Sequence, residues 1–365
     1  MKISDRIIDR SNNFDFLRFV AASLVIFSHS FVLLNGVSWD PYISISGYEG
    51  FGSLAVNIFF VISGFLITKS WFDNNKWHEF IKKRILRIFP ALFVVVFLTT
   101  FLLGPLVTNL SIGEYFSNSG TYDYLKNAIL QIRFFLPGVF FDNPFSGGVN
   151  GSLWTLPIEF ALYFGVLIYG ILNLFRFNIL IILLHCILVG TYCLNRSGIY
   201  FLDMDLQTLN IIRLSAYFII GSIFYIFREK IILNIFVFVF FLSILILTFN
   251  TKLGLLVSYL ALPYLIFFIS FYKNNIFENF SSKGDYSYGL YIYAFPVQAT
   301  LVHFFVGKLN TLSFFIFSFF ITYFFAFLSW HLVEKKFLKM KSKSIEDLIG
   351  INFLKRQFAD IKIKF

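Results

Sequence analysis

Ten apolar stretches, each close to the length that crosses a bilayer, recur along this chain and restrict it to one kind of fold. A window of about 20 residues matches a helix that spans a hydrocarbon core of about 30 Å. It finds segments near 14–34, 51–72, 88–107, 153–175, 178–195, 208–227, 231–249, 253–272, 286–306 and 311–333. Lipid offers no partner to a bare backbone N–H or C=O, so such a series predicts an all-α integral membrane protein with about ten transmembrane helices. Composition agrees: 58% of residues are hydrophobic, 14% are charged and mean hydropathy is +0.77. Soluble domains average about 25% charged residues, and a soluble fold is excluded.

Positive charge sets the orientation. Of the 30 Lys and Arg residues, 22 fall in the termini and the connections that share their side, against five in the opposite connections. Basic residues on short loops stay in the cytoplasm, so both termini are expected there. The net charge of +10 then reflects topology plus a cationic tail beside anionic lipid, and no nucleic acid is needed to explain it. The expected organisation is a transmembrane domain over 1–340 and a basic cytoplasmic tail over 341–365. The N-terminus has the outline of a signal peptide, but no small-residue cleavage site follows, and an uncleaved first helix is expected. The long connection from Pro105 to Ser152 contains the apolar FFLPGVFF and is expected to lie on the membrane surface or dip into the protein. Cys186 and Cys193 share one apolar segment and form no disulfide framework. No two histidines stand at helical ligand spacing, and no metal is expected.

The first segment, FDFLRFVAASLVIFSHSFVLL, carries Asp15, Arg18 and His29. An Arg or Asp at mid-membrane costs about 2.5–3.5 kcal/mol on insertion scales. Eleven residues turn a helix about 20° beyond three full turns, so Arg18 and His29 lie on one stripe roughly 16 Å apart, expected to face the bundle interior. Asp15 lies one turn before Arg18, and either a structural ion pair or a functional site accounts for the two. His29 is the only ionisable side chain in the outer half of the segment, and a neutral imidazole suits a general base.

Further candidates follow along the chain. Ser63 and Gly64 are small enough to admit another helix or a slender substrate. Arg84 and Arg87 lie one helical turn apart in HEFIKKRILRIFPAL. They can converge on a phosphate through forked, charge-assisted hydrogen bonds, or simply supply positive charge to a short loop. Glu159 enters the fourth segment and needs a partner there, either His29, which it would orient, or a structural cation.

In order, these motifs resemble the membrane acyltransferase-3 family. Arg18 and His29 match its Arg–ten residues–His hallmark, and NIFFVISGFLIT resembles its Phe-Phe-x-x-Ser-Gly-Phe-Leu segment. Arg84, Arg87 and Pro90 match its Arg-x-x-Arg-x-x-Pro pattern, and NGSLWTLPIEF resembles its Ser-Leu-Trp-Ser-Leu-x-x-Glu segment, with Thr155 in place of the second serine. GDYSYGLYIYAFPVQ resembles its Ser-Tyr-x-x-Tyr segment, with Ala294 where many members have histidine. SWHLVEKKF resembles its ending, with Lys336 in place of proline and Glu334 expected as an interfacial anchor.

The resemblance implies an O-acyltransferase in the bacterial cytoplasmic membrane. It would move acetyl from cytoplasmic acetyl-CoA to a hydroxyl of a surface polysaccharide or lipid-linked glycan. Some members carry a soluble hydrolase-like domain; none is seen here, so the membrane part is expected to act alone or with a separate partner. Catalysis is then expected from His29, Glu159 and Arg18, and acetyl-CoA binding from Arg84, Arg87, Ser63 and Gly64. Two other readings stay open. A transporter or flippase would use Arg18, His29 and Glu159 as an intramembrane relay, and an acyltransferase of another family would use His185 or His303.

Overall fold

The computed structural model describes residues 2–8, 12–35, 40–47, 49–199, 203–272, 277, 280–305 and 307–342. Each of the ten apolar segments is helical. The helices are α1 (Phe14–Asn35), α2 (Phe51–Asp73), α3 (Trp77–Leu98), α4 (Thr155–Ile171), α5 (Asn178–Arg196), α6 (Leu206–Ile226), α7 (Ile235–Leu247), α8 (Lys252–Phe271), α9 (Ser287–Phe305) and α10 (Thr311–Ser329). Eight are long and apolar enough to cross a membrane. The exceptions are α7, whose 13 residues rise only about 20 Å, and α9, whose Gln298, His303 and tyrosines dilute its apolar character. In compensation α9 is interior, with twelve of its 19 residues buried.

Hydrogen bonds tie helix ends together at two ends of the bundle. At the end holding the chain's N-terminus, Ile3 N donates to Ile231 O at 3.4 Å, and Asn13 Nδ2 donates to Ile269 O and Tyr272 O at 2.9 and 3.1 Å. This is the basic end. At the far end, Asn35 Nδ2 reaches Thr311 Oγ1 at 3.4 Å and Lys252 Nζ reaches Ser197 O at 2.8 Å.

The third segment departs from its expected start at residue 88. Helix α3 begins at Trp77, so Arg84 and Arg87 lie on a helix and not in a loop. Hydropathy ends the segment where charge begins, because it cannot register that the charges have partners across the bundle. At its other end α3 widens into a π-turn over Thr99–Leu103 before Gly104–Val107. Pro105 cannot donate a backbone hydrogen bond there, and Tyr115 OH satisfies the nearby Thr100 carbonyl at 2.8 Å.

The connection over 105–152 dips into the protein. Tyr115, Tyr124, Leu136, Val139 and Phe140 are buried, and Asn143 Nδ2 donates to Ala299 O at 3.0 Å. Asn150 Nδ2 donates at 2.9 Å to Ile292 O, the carbonyl four residues before Pro296 that loses its helical partner to that proline. The kinked helix α9 is therefore satisfied from the loop.

Helices α2 and α6 approach closest at two glycines. A Cβ at Gly64 would stand 1.8 Å from the Phe218 carbonyl oxygen, and one at Gly221 would stand 2.1 Å from that of Val61. This close crossing follows the small-residue logic of membrane helices. Gly64→Val is expected to cost at least the 1–3 kcal/mol typical of overpacking, seen as a lower unfolding temperature and poor recovery of monodisperse protein. Gly165→Ala, where nothing lies within 4 Å, is the control and leaves both unchanged.

Candidate active site

A cavity of about 400 Å³ opens among α1, α2, α3, α4 and α9, with the C-terminal extension of α10 at its mouth. Its charged lining is Arg18, Lys83, Arg84, Arg87, Lys341, Glu159 and Asp285, five cations against two carboxylates. At the mouth, Asp285 Oδ2 accepts from Arg87 Nη2 at 2.7 Å and from Arg18 Nη2 at 3.1 Å. Its Oδ1 accepts from Ser287 Oγ at 2.5 Å. Burial opposes ionisation of Asp285, but the Arg18 and Arg87 charges and the Ser287 bonds outweigh it and hold the carboxyl below the usual carboxylate range.

Arg18 also pairs with Asp15, which accepts a further bond from Ser281. The ion pair of Asp15 and Arg18 exists, and Arg18 also lines the cavity. The second acid, Asp285, comes from a connection 267 residues away and was not anticipated as a partner.

Helix α10 continues through a second π-turn, Trp330–Glu334, into Lys335–Lys339. That turn corrects the reading of Glu334 as an interfacial anchor. Glu334 is 2% exposed, accepts from Ser329 Oγ at 2.9 Å and stands 3.8 Å from Arg87 Nη1. The widened turn rotates it inward, a recurrent role of π-bulges. Just beyond, Lys341 enters the cavity. Burial, then the charges of Arg87, Arg84, Arg18 and Lys83, push its ammonium down to about 7.

Deeper in, Glu159 Oε1 accepts from Tyr163 OH at 2.5 Å and from Ser63 Oγ at 3.0 Å. Arg84 lies over the Tyr163 ring at 5.7 Å and donates to Ser70 Oγ at 3.1 Å. The expected pairing of Glu159 with His29 is therefore replaced by a cluster of Glu159, Tyr163, Ser63 and Arg84. Ser63 faces the cavity, whereas Gly64, expected beside it as a substrate contact, is taken up by the Phe218 backbone and is absent from the lining. Successive residues on a helix point about 100° apart, which separates the two roles.

The cavity floor includes Val56, Phe59, Thr155 and Tyr291. Tyr291 OH donates to Ser152 O at 2.8 Å and meets Thr155 Oγ1 at 2.6 Å. His29 is not in the lining but lies one turn further along α9, its ring edge-on to Phe295 at 5.3 Å. Asp40, a residue the sequence did not single out, bonds to Ser28, the neighbour of His29 on α1. Asp40 Oδ2 accepts from Ser28 Oγ at 2.5 Å and Phe51 N at 2.9 Å, while Oδ1 caps Tyr42 N at 2.9 Å. Of the expected residues, then, Arg18, Ser63, Arg84, Arg87 and Glu159 converge on the cavity, and His29 stands beyond its floor.

The cavity at the basic end of the bundle carries five cations against two carboxylates, and His29 lies beyond its floor against Phe295. Residues 11–331 match the acyltransferase domain of the acyltransferase-3 family, and the chain belongs to that family. It is 34% identical over 352 residues to the O-acetyl transferase of Shigella phage Sf6, covering 92% of this chain and 98% of the relative. Nodulation protein 10 of Rhizobium leguminosarum bv. viciae is 37% identical over 158 residues, 42% of each chain. Acyltransferase MdmB of Streptomyces mycarofaciens is 29% identical over 112 residues, 31% of this chain and 27% of the relative. No solved structure matches the chain. The protein is a membrane acyltransferase of the O-acetyltransferase kind.

Proposed function

We propose that the protein takes acetyl from acetyl-CoA at the cytoplasmic face of a bacterial inner membrane and passes it to a hydroxyl of a surface or lipid-linked glycan. The observation that carries this reading is the cavity's excess of cations at the basic end. Two of its arginines keep unused donors: Arg18 Nε and Arg84 Nε are buried without a hydrogen-bond partner. Buried donors without acceptors are costly, and the phosphates of coenzyme A would supply the acceptors. The relative named an O-acetyl transferase over nearly its whole length supports the group transferred. The basic end faces the cytoplasm by the distribution of positive charge. Residues 1–340 then form the catalytic unit, and the segment from 341 onward begins in the donor site, through Lys341, before the tail.

With the phosphates held by Arg84, Arg87 and Lys341, the pantetheine arm runs past Ser63 and Glu159 toward the floor of Phe59, Thr155 and Tyr291. His29 lies one turn beyond. It acts as general base: it takes the proton of the acceptor hydroxyl, whose oxygen attacks the thioester carbonyl carbon. The C–S bond breaks, and the proton passes from the imidazolium to the leaving sulfur, giving the O-acetyl ester and free coenzyme A. Glu159, held by Tyr163 and Ser63, steadies Arg84 and does not act on His29 directly.

Labelled acetyl-CoA binding to the purified protein tests the donor site. Wild type is expected to bind and Arg84→Ala to bind at least about tenfold more weakly, as for loss of a charge-assisted contact of about 1.5–3 kcal/mol. Equal affinity overturns the assignment. The same assay has a pH signature. Lys341 is charged below pH 7 and neutral above it in the free protein, so affinity is expected to fall as pH rises through about 7. Arginine keeps its charge throughout, so Lys341→Arg is expected to flatten that fall, and an unchanged pH dependence in this variant removes Lys341 from the site.

A further inference from the structure

Asp40, bonded to Ser28 beside His29, already accepts three hydrogen bonds, and this raises the question of what holds the imidazole in the tautomer a base needs. Both oxygens of Asp40 accept bonds from Ser28 Oγ, Phe51 N and Tyr42 N. Gln298 on α9, itself 0% exposed, packs against the turn of α1 that carries His29, and Phe295 one turn before it meets the imidazole ring. The orientation of the Gln298 amide is not ambiguous. Gln298 Nε2 donates to Ile26 O at 2.9 Å and to Ser30 Oγ at 3.1 Å. The first partner is a carbonyl and can only accept. The second has committed its own proton to the same Ile26 carbonyl at 2.8 Å, so it too can only accept. The amide nitrogen must therefore face Ile26 and Ser30, and both its protons are used.

Gln298 Oε1 is left as a pure acceptor, buried and without a partner. On the histidine, Nδ1 is likewise buried and without a partner. A single bond, Nδ1–H donating to Oε1, would satisfy both orphans. His29 as a whole is partly accessible while Nδ1 is not, so its open part lies away from that nitrogen.

From this geometry we infer that Gln298 is the positioning residue of His29, fixing the proton on Nδ1 so that Nε2 presents its lone pair to the acceptor hydroxyl. The device is a neutral carbonyl where a carboxylate is the commoner orienting group. Three of its elements, Ile26, Ser30 and His29, come from adjacent turns of α1, so the same short stretch that carries the base also orients its partner. The inference rests on the reading of His29 as the general base.

The test uses the full-length protein in detergent with ¹⁵N-labelled histidine, the His29 signals being identified by their loss in His29→Ala. In wild type at a pH where the ring is neutral, a protonated Nδ1 and an unprotonated Nε2 are expected. In Gln298→Met, which keeps length and removes the acceptor, the signals are expected to move toward the opposite tautomer. In the same variant kcat is expected to fall at least about tenfold while the KM for acetyl-CoA stays within about twofold, the pattern of a group needed only in the transition state. A wild-type His29 protonated on Nε2 overturns the inference without any variant having to fold. So does a Gln298→Met protein with unchanged tautomer and kcat. If His29→Ala retains transfer, the general-base reading falls instead, and the wild-type spectrum still decides whether Gln298 orients the ring.

Discussion

His29→Ala is expected to lower acetyl transfer by about 10²- to 10⁴-fold, the range that a positioned general base contributes, while leaving acetyl-CoA binding within about twofold. The split follows from position. The donor's phosphates meet cations at the basic end, and His29 stands beyond the cavity floor, against Phe295. Membranes carrying each variant, incubated with labelled acetyl-CoA and assayed for O-acetyl glycan, give the first number, and binding to purified protein gives the second. Undiminished transfer in the variant would remove His29 from catalysis. A joint loss of binding and transfer, with a lowered unfolding temperature, would make it a structural core histidine.

The largest expected loss of stability comes from Arg87→Ala. Arg87 stands 2.7 Å from Asp285 and 3.8 Å from Glu334, so its removal leaves one carboxylate short of its closest cation and another with none in its place. Breaking a buried pair from one side costs about 3–5 kcal/mol. Arg87 and Asp285 keep 22% and 12% of their side-chain surface open toward the cavity, where water screens the remaining charge, so the low end, about 3 kcal/mol, is expected. Thermal unfolding in detergent measures it. Asp285→Asn in the Arg87→Ala background should recover part of the loss, because the stranded charge is then gone. A single-variant loss below about 1 kcal/mol would show that the pair behaves like an exposed surface ion pair.

The helical nature of the chain was legible because lipid removes every alternative: an apolar run of about 20 residues has no way to satisfy its backbone there except as a helix. The stripe of Arg18 and His29 was legible for the same reason, since helix periodicity is fixed. The beginning of α3 was not. Arg84 and Arg87 read as part of a charged loop before the third apolar segment because their partners, Ser70, Tyr163, Asp285 and Glu334, belong to other helices and connections. The partner of Glu159 was misplaced for a related reason. Its depth in the bundle was readable, but the choice between His29 and the cluster around Ser63 depends on how α4 is rotated against α2. Asp285 and Gln298 both lay within a quoted motif, GDYSYGLYIYAFPVQ, yet nothing in the spacing of that segment says what faces it.

By itself, then, the sequence determined a polytopic helical protein, the face of the first helix that turns inward, and the residues with enough chemistry to form a site. Each of these depends on local periodicity or on the solvent, and both are written into any short stretch of chain. Tertiary structure alone decided that five cations share one cavity, that Glu159 belongs to that cavity and not to His29, and that an amide from α9 bonds to Ile26 and Ser30 on the turn of α1 that carries His29. Those are relations between helices distant in sequence, set by crossings such as that of Gly64 against Phe218, where backbones meet closely enough to fix which side chains converge.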